Sequence, residues 1–339
     1  GGKGTRLRPL TVYTPKPIVP IVNRPLIQYQ IDILKKAGIT DITLSLSYQP
    51  DKIEQLIGSA ADHGVLLRYV TEPSPMGTAG AYKYAVGSSQ ETTIVFNGDV
   101  ITDLDVNKLV EFHRSSNAVA TLALAPVSDP SRYGLVPVDK AGKITDFLEK
   151  PTDADRDKIK ANTINAGVYV LEPQVLAMIP KDTNRSFEYD VFPEMLSTKL
   201  PFVGYVMKDA YWRDIGTPES YLAAHHDFLS GKIRGAEMPE QDLSDIATHA
   251  EIDRTSVIGN DCSIKPGVRI ANSVIGNGVH VEEKAVVENS VIWSHTRVAS
   301  AAEIRDSVIG RSCHIGRNAI VGPGSVLGDK SSLTDYTKV

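Results

Sequence analysis

The chain has 339 residues, 42% of them hydrophobic and 23% charged, an ordinary globular composition with room for two domains. Its 36 basic and 41 acidic residues leave a net charge of −5, which excludes a general attraction to nucleic acid or anionic membrane and confines any anion site to a local cluster. No run approaches the about 18 apolar residues of a membrane span and no secretory signal opens the chain. Cys262 and Cys313 form no disulfide framework, so a reducing, cytoplasmic setting is expected.

The chain opens on Gly1-Gly2-Lys3-Gly4, a loop that in an α/β protein should follow a buried strand, so a preceding segment is expected to be missing. Leu26, Tyr29, Ile33, Leu34 and Ala37 then recur at helical spacing, with Gly38 as the stop. Ile42–Leu46 reads as a strand, Ile53–Ile57 as a helix, Val65–Val70 as a strand and Thr78–Val86 as a helix. Thr93-Ile94-Val95-Phe96 is a short buried-strand run ending on Asn97-Gly98-Asp99. This alternation predicts a Rossmann-like mixed, mostly parallel sheet over residues 1–230, with functional side chains at the carboxyl ends of its strands.

Residues 231–248 read as a polar connector, and from about 249 the pattern changes. Ser-Val-Ile stands at 256–258, 273–275, 290–292 and 307–309, every 17 residues, and a looser Ser325-Val326-Leu327 follows after 18. Inside each unit apolar residues step by six, as in Ile275, Val281 and Val287. Each short strand can bury one β-branched residue, and only stacked coils bury the whole row. A left-handed parallel β-helix of about four coils is expected over 249–339.

The most chemical stretch is Gly1-Gly2-Lys3-Gly4-Thr5-Arg6-Leu7-Arg8-Pro9-Leu10-Thr11, followed by Pro15-Lys16-Pro17. Glycines let backbone N–H groups converge on an anion, and Arg6 and Lys16 add fixed positive charge. No Gly-Lys-Ser/Thr follows at Walker A spacing, and alone the segment reads equally well as a tight surface turn. Together with four ordered segments it resembles the sugar-1-phosphate nucleotidyltransferase superfamily. Those segments are Asn97-Gly98-Asp99, Phe147-Leu148-Glu149-Lys150-Pro151, Asn165-Ala166-Gly167-Val168-Tyr169 and Trp212-Arg213-Asp214-Ile215-Gly216-Thr217-Pro218. The β-helical tail is common in that superfamily too, so the resemblance covers nearly the whole chain.

The resemblance implies transfer of a nucleotidyl group from a nucleoside triphosphate to a sugar 1-phosphate, with release of pyrophosphate. It implies Arg6, Lys16, Asp99 and Asp214 as the catalytic set, with Asp99 and Asp214 holding Mg²⁺ beside the triphosphate. Gly1, Gly2, Gly4, Thr5, Gly77 and Thr78 join Arg6, Lys16 and Asp99 around the nucleotide. Gly134, Glu149, Lys150, Asn165, Arg185 and Glu188 line the sugar-phosphate side. The Gly77-Thr78-Ala79-Gly80 form and the neighbourhood of Lys160 to Gly167 are similar to the mannose-1-phosphate guanylyltransferases, which points to GTP and mannose 1-phosphate. Read without the resemblance, Asp99 is a turn or helix-cap aspartate, Asp214 an ion-pair partner of Arg213, and Thr78 a residue near a helix cap.

Two other readings stay open. His280, His295 and His314 in the tail could serve an acyltransferase, although turn-facing histidines account for them. The fold could also be a non-catalytic regulatory scaffold, as in homologous translation-factor subunits, though such chains tend to lose the triphosphate and metal residues retained here. Glucose 1-phosphate remains an alternative substrate. The flat faces of the β-helix suit pairing of like subunits into a homo-oligomer.

Overall fold

The computed structural model describes residues 4–58, 63–130, 133–149, 161–236, 238, 239, 241, 243 and 249–339. Contacts divide the chain into two compact units, residues 29–212 and residues 4–28 with 213–339. The loop segment bearing Arg6 and Lys16 is thus grouped with the β-helix, a division unlike that of the sequence pattern.

Helix α1 (Leu26–Lys36), which enters the first unit at Tyr29, leads to β1 (Asp41–Leu46) and, beyond an intervening helix, to β2 (Leu66–Thr71), which pairs with β1 in parallel. Helix α2 (Gly77–Val86) and β3 (Thr93–Phe96) follow, then β4 (Ala120–Pro126), β5 (Thr163–Leu171) and β6 (Phe202–Val206). The last four strands form one sheet in the order β3-β5-β4-β6. β5 runs antiparallel to both its neighbours, while β4 and β6 are parallel. The sheet is therefore mixed, with more antiparallel pairing than the strand–helix alternation suggests. β5 is buried along nearly its whole length, which explains its continuous apolar run Val168-Tyr169-Val170-Leu171. An aromatic cluster seals the core beside it: Phe187 stacks on Phe192 at 5.3 Å, and Phe192 meets Phe202 at the same distance.

In the second unit, residues 249–339 form a parallel β-helix whose three faces are five-stranded sheets, so it has five turns where the repeats suggest about four. The additional turn comes from the weaker flanking copies, Glu251–Ile252 at the start and Val326–Leu327 and Ser332–Leu333 at the end. Successive strands pair at the 17-residue offset, as in Val274↔Val291 and Ile275↔Ile292. The six-residue rows of the sequence are the interior, with Ile275, Val281, Val287, Ile292, Val298, Ile304, Ile309, Ile315 and Val321 all at 0% exposure.

Each residue of Ser-Val-Ile has its own task. The isoleucine fills the interior. The serine links coils: Ser273, Ser290 and Ser307 each donate a backbone N–H to the Oγ of the serine one coil earlier, at 3.0–3.1 Å. The valine points the other way, because side chains alternate along a strand. Corners are turned by left-handed residues such as Asn272, Asn289 and Asp306, whose short polar side chains tolerate that conformation.

Helix α3 (Pro218–Leu229) in the same unit is capped by the Thr217 side chain and buries Tyr221, Ala224, His225 and Phe228. His225 Nδ1 meets the Tyr221 carbonyl at 3.0 Å, and among the described residues its Nε2 has no hydrogen-bond partner. Burial holds its imidazole down to about 4 from the ordinary 6.5, against the opposing pull of the Tyr221 carbonyl. The unfolded chain therefore takes up a proton below pH 6.5 that the folded chain refuses. Stability should be full above pH 6.5 and fall by about 3 kcal/mol as the pH drops to about 4. Thermal denaturation across that range should show the loss, and His225→Gln should flatten it; an equally steep profile in the variant would contradict this. Ile304→Ala should cost about 2–5 kcal/mol, and Ile304→Val only about 0.5–1.5, in equilibrium unfolding of the second unit.

Candidate active site

In the second unit, the glycine-rich segment that carries Arg6 is shaped by its buried residues. Leu7 and Leu10 are fully buried, and Thr11, itself buried, donates its Oγ1 hydrogen to the Gly4 carbonyl at 2.7 Å. Gly4 takes a left-handed φ of 61°. A Cβ on it would lie 3.4 Å from Cβ of Lys16, so the glycine and the lysine of the two motifs are neighbours. Thr5 and Arg6 stand exposed on the same short turn.

Asp214 converges on the same segment through Gly216. A Cβ at Gly216 would collide with Asp214 Oδ2 and lie 3.3 Å from Arg6 Nη2. Absence of a side chain there lets a carboxylate and a guanidinium share one small space. Arg213 turns away instead: its guanidinium is bound by Asp227, Nη2 to Oδ2 at 2.6 Å, and Lys232 holds the other oxygen of Asp227 at 2.6 Å. The ion pair suggested by sequence adjacency thus goes to Asp227.

In the first unit, Asp99 lies on a turn fixed from two sides. Asn97 N–H donates to the Gly167 carbonyl at 2.7 Å, and Gly167 takes a φ of 71° against the Asn97 side chain. From below, Gln30 Nε2 donates to the carbonyls of Asn97 and Val100 at 2.8 and 2.9 Å. Asp99 is half-buried and caps no helix; the cap of the following helix Val106–Ser115 is Asp105. Gln30 was not singled out from sequence, yet the signal is present. It is the one polar residue on the apolar face made by Leu26, Ile33, Leu34 and Ala37.

The sugar-side candidates of this unit meet through backbone pairing. Leu135 and Leu148 exchange hydrogen bonds, and Asn165 N–H donates to the Gly134 carbonyl at 2.9 Å. Gly134, Glu149 and Asn165 are thereby neighbours, and a Cβ on Gly134 would come 2.5 Å from Glu149 Oε2. Asn165 Nδ2 donates to Tyr169 Oη at 2.9 Å, which in turn donates to Glu188 Oε1 at 3.4 Å. Burial, reinforced by the Glu188 charge, pushes the Tyr169 phenol well above its usual range, so it stays a neutral donor.

Glu188 also accepts from Thr78 Oγ1 at 2.7 Å and Ser186 Oγ at 2.6 Å, joining the segment of Gly77 and Thr78 to that of Arg185 and Glu188. Gly77 has a φ of 70°, and a Cβ on it would strike the Arg185 carbonyl. That carbonyl accepts the first free N–H groups of α2, from Ala79 and Gly80, at 3.0 and 3.1 Å. The Arg185 guanidinium is tied to Glu194 at 3.0 Å and the Met178 carbonyl at 3.2 Å, so its contacts brace this corner. Glu72, which opens the segment running to Gly77-Thr78-Ala79-Gly80, is buried and accepts the Met76 N–H at 3.3 Å, bracing the turn before α2. Gly1, Gly2, Lys150 and Lys160 lie outside the described residues.

Among the described residues, no three or more His, Cys, Asp or Glu side chains are grouped to hold a metal by protein ligands alone. Asp99 in the first unit and Asp214 in the second each carry a carboxylate of the kind Mg²⁺ accepts, an ion that binds through few carboxylates and completes its shell with phosphate oxygens and water. His280 and His314 stand exposed on the β-helix with Arg297 between them, and exposed His295 turns a corner at φ 59°.

Comparison with known proteins places these groups in context. Residues 1–231 match the family model described as nucleotidyl transferase, and residues 238–339 match that of the left-handed β-helix (LbH) domain of EIF2B subunit epsilon. The chain belongs to the nucleotidyl transferase family and is an enzyme of the sugar-1-phosphate nucleotidyltransferase kind. It is 38% identical to the mannose-1-phosphate guanylyltransferase of Mycobacterium tuberculosis, over 80% of this chain and 76% of the relative. It is 36% identical to mannose-1-phosphate guanylyltransferase catalytic subunit beta of Drosophila melanogaster, over 77% of this chain and 70% of the relative. Among solved structures, HddC from Yersinia pseudotuberculosis, complexed with GMP-PN, is similar at 32% identity and a TM-score of 0.55, covering 67% of this chain and 96% of that one.

The role of Gln30 is open to direct measurement. Gln30→Leu removes the donors to two carbonyls and should cost about 1–3 kcal/mol for each carbonyl left unsatisfied. In hydrogen exchange it should speed the amides of Asn97–Val100 more than those of β4. Unchanged protection at Asn97–Val100 would show that Gly167 alone holds the turn.

Proposed function

We propose that this chain transfers a guanylyl group from GTP to mannose 1-phosphate, giving GDP-mannose and pyrophosphate. The observation that carries the chemistry is the placement of Arg6 and Asp214 around Gly216, with Lys16 beside Gly4 in the same segment. The choice of substrates rests on the relatives, which are named for mannose 1-phosphate and guanylyl transfer. A solved neighbour carries GMP-PN.

An oxygen of the sugar 1-phosphate attacks the α-phosphorus of the triphosphate. The bond from that phosphorus to the β-bridging oxygen breaks, and pyrophosphate leaves with the electron pair. The attacking phosphate monoester is already ionised at neutral pH, so no side chain has to remove a proton. The protein aligns the two substrates and offsets the growing negative charge. Arg6 and Lys16 supply positive charge to the triphosphate, together with the glycine backbone around Gly4 and with Thr5. Gly77 and Thr78 border the base. Gly134, Glu149, Lys150 and Asn165 take the sugar phosphate, with Glu188 and Arg185 shaping the pocket wall. Mg²⁺, when bound, would be held by Asp99 and Asp214 and would neutralise charge on the phosphates.

Two free cysteines and the family's soluble substrates support a cytoplasmic setting, and among the described residues no helix is long and apolar enough to cross a membrane. Pairing of copies into a homo-oligomer through exposed β-helix faces belongs to the same proposal. A second reading has one observation in its favour: residues 238–339 match a domain of a translation-factor subunit. In that reading the chain is a scaffold and turns nothing over.

Pyrophosphate release separates the two. With Mg²⁺, each common nucleoside triphosphate and either mannose or glucose 1-phosphate, release should require both substrates and be fastest with GTP and mannose 1-phosphate. Asp99→Ala should lower it by about 10²-fold or more, and Arg6→Met by a similar factor, with folding intact. A folded protein that releases nothing from any pair would favour the scaffold.

A further inference from the structure

The valines of the Ser-Val-Ile repeat present a problem that the reaction does not solve. Val257, Val274, Val291 and Val308 stack in register, one residue before the isoleucines that fill the interior. They point outward, yet their exposures are 1%, 1%, 2% and 1%. An outward row this dry is covered by something.

The polar contacts within the second unit show what lies against this side of the β-helix. Asn23 Nδ2 donates to the Ile275 carbonyl at 2.8 Å, and His226 Nε2 meets the Asn289 carbonyl at 3.1 Å. Trp293, which follows Val291-Ile292, is only 2% exposed and donates its indole N–H to Tyr221 Oη at 2.8 Å. Tyr221, fully buried on α3, donates its own hydrogen to the Pro20 carbonyl at 2.5 Å. One coil further on, the Arg311 guanidinium lies 5.1 Å from the centre of the Trp293 ring and donates from Nη1 to Thr14 Oγ1 at 2.9 Å. Thr14 is 1% exposed. In the last turn, Gly328 sits so close to Pro9 that a Cβ would come 3.0 Å from the proline's Cβ.

Thr14 and Pro20 bracket Lys16. Contacts from three coils thus end directly on the segment from Pro9 to Asn23, and one from a fourth reaches it through Tyr221; this is the segment that presents Lys16. We infer that the β-helix is the seat of this segment, with Trp293 and Arg311 as positioning residues: Trp293 acts through Tyr221 on Pro20, and Arg311 acts directly on Thr14. The inference rests on the proposed nucleotidyl transfer for its catalytic consequence, but its structural half stands apart from that reaction.

A positioning role makes a distinct demand. The substrate whose phosphates meet Lys16 is affected, and the other is not. A displacement of about 1 Å in an aligned site lowers turnover by about 10²-fold, so modest loosening of the segment reaches the rate. A tail that merely adds stability would alter the melting temperature and leave both Michaelis constants alone.

The test uses the full chain with Trp293→Phe, which keeps an aromatic ring but removes the indole N–H, and Arg311→Met, which keeps the stem but removes the donor. Arg311→Lys tests partial rescue. Arg297→Met is the control, since Arg297 pairs with Glu282 on another face of the β-helix at 2.8 Å. Hydrogen exchange without substrates should show faster exchange over residues 9–23 in both variants, with β4 and β5 unchanged and with no effect of Arg297→Met. In turnover, both should lower kcat by about tenfold or more and raise KM for the triphosphate, with KM for the sugar 1-phosphate within about twofold of the parent. Arg311→Lys should recover part of the loss. Unchanged exchange over 9–23 in both variants, or a lowered melting temperature with unaltered kcat and KM, would overturn the inference. An inactive parent would sink the reaction and not the seat, because the exchange measurement decides the seat without turnover.

Discussion

The second unit depends on one constraint: a parallel β-helix coil has an inside and an outside, and here both are apolar along one face. Alternation along each short strand sends isoleucine inward and valine outward from the same dipeptide. Interior isoleucines are satisfied by stacking. The valines are not, and burying them requires a second layer. That layer is drawn from residues near the start of the chain and from α3, so the ends of a long sequence are joined by four coils of the tail. Burial of a valine row is worth about 1.5–3 kcal/mol per fully buried side chain as an upper bound, ample to fix a loop that has little secondary structure of its own.

The first unit solves a different problem, that of holding polar turns still. Its solution is to interlock the motifs. The turn of Asp99 is tied to Gly167 and Gln30, the Gly134 strand to Asn165, and the Thr78 hydroxyl to Glu188. Glycine recurs at these meetings for a physical reason. At Gly134 and Gly77, another residue's oxygen occupies the space a Cβ would need. The motifs are spaced far apart in sequence because each is one side of a close approach.

Much of this was legible in the sequence. The six-residue rows gave the β-helix interior, and the ordered motifs contain residues that are neighbours within each unit, such as Gly4 and Lys16 in one and Gly134 and Glu149 in the other. The fifth coil was less visible, because its strands replace isoleucine and valine with Leu327 and Leu333 and lose the strict 17-residue step. Antiparallel placement of β5 was not readable either, since a strand buried on both faces has the same apolar run in either direction. Arg185 shows the limit for side chains. A motif says that an arginine is present, but only the fold shows it bound to Glu194 with its carbonyl on α2. Gln30 and the outward valines were readable as anomalies, a polar residue on an apolar face and an apolar residue on an outer one. Neither anomaly names its partner without the structure.

The central claim is attack on the α-phosphorus by a sugar 1-phosphate, and phosphorus NMR of a single reaction mixture observes it directly. With GTP, mannose 1-phosphate and Mg²⁺, the account predicts that both substrate signals fade together. Two coupled signals of a diphosphate sugar and the single line of pyrophosphate should replace them in equal amounts. Appearance of GDP and orthophosphate with mannose 1-phosphate untouched would place the attack elsewhere on the triphosphate and contradict the account.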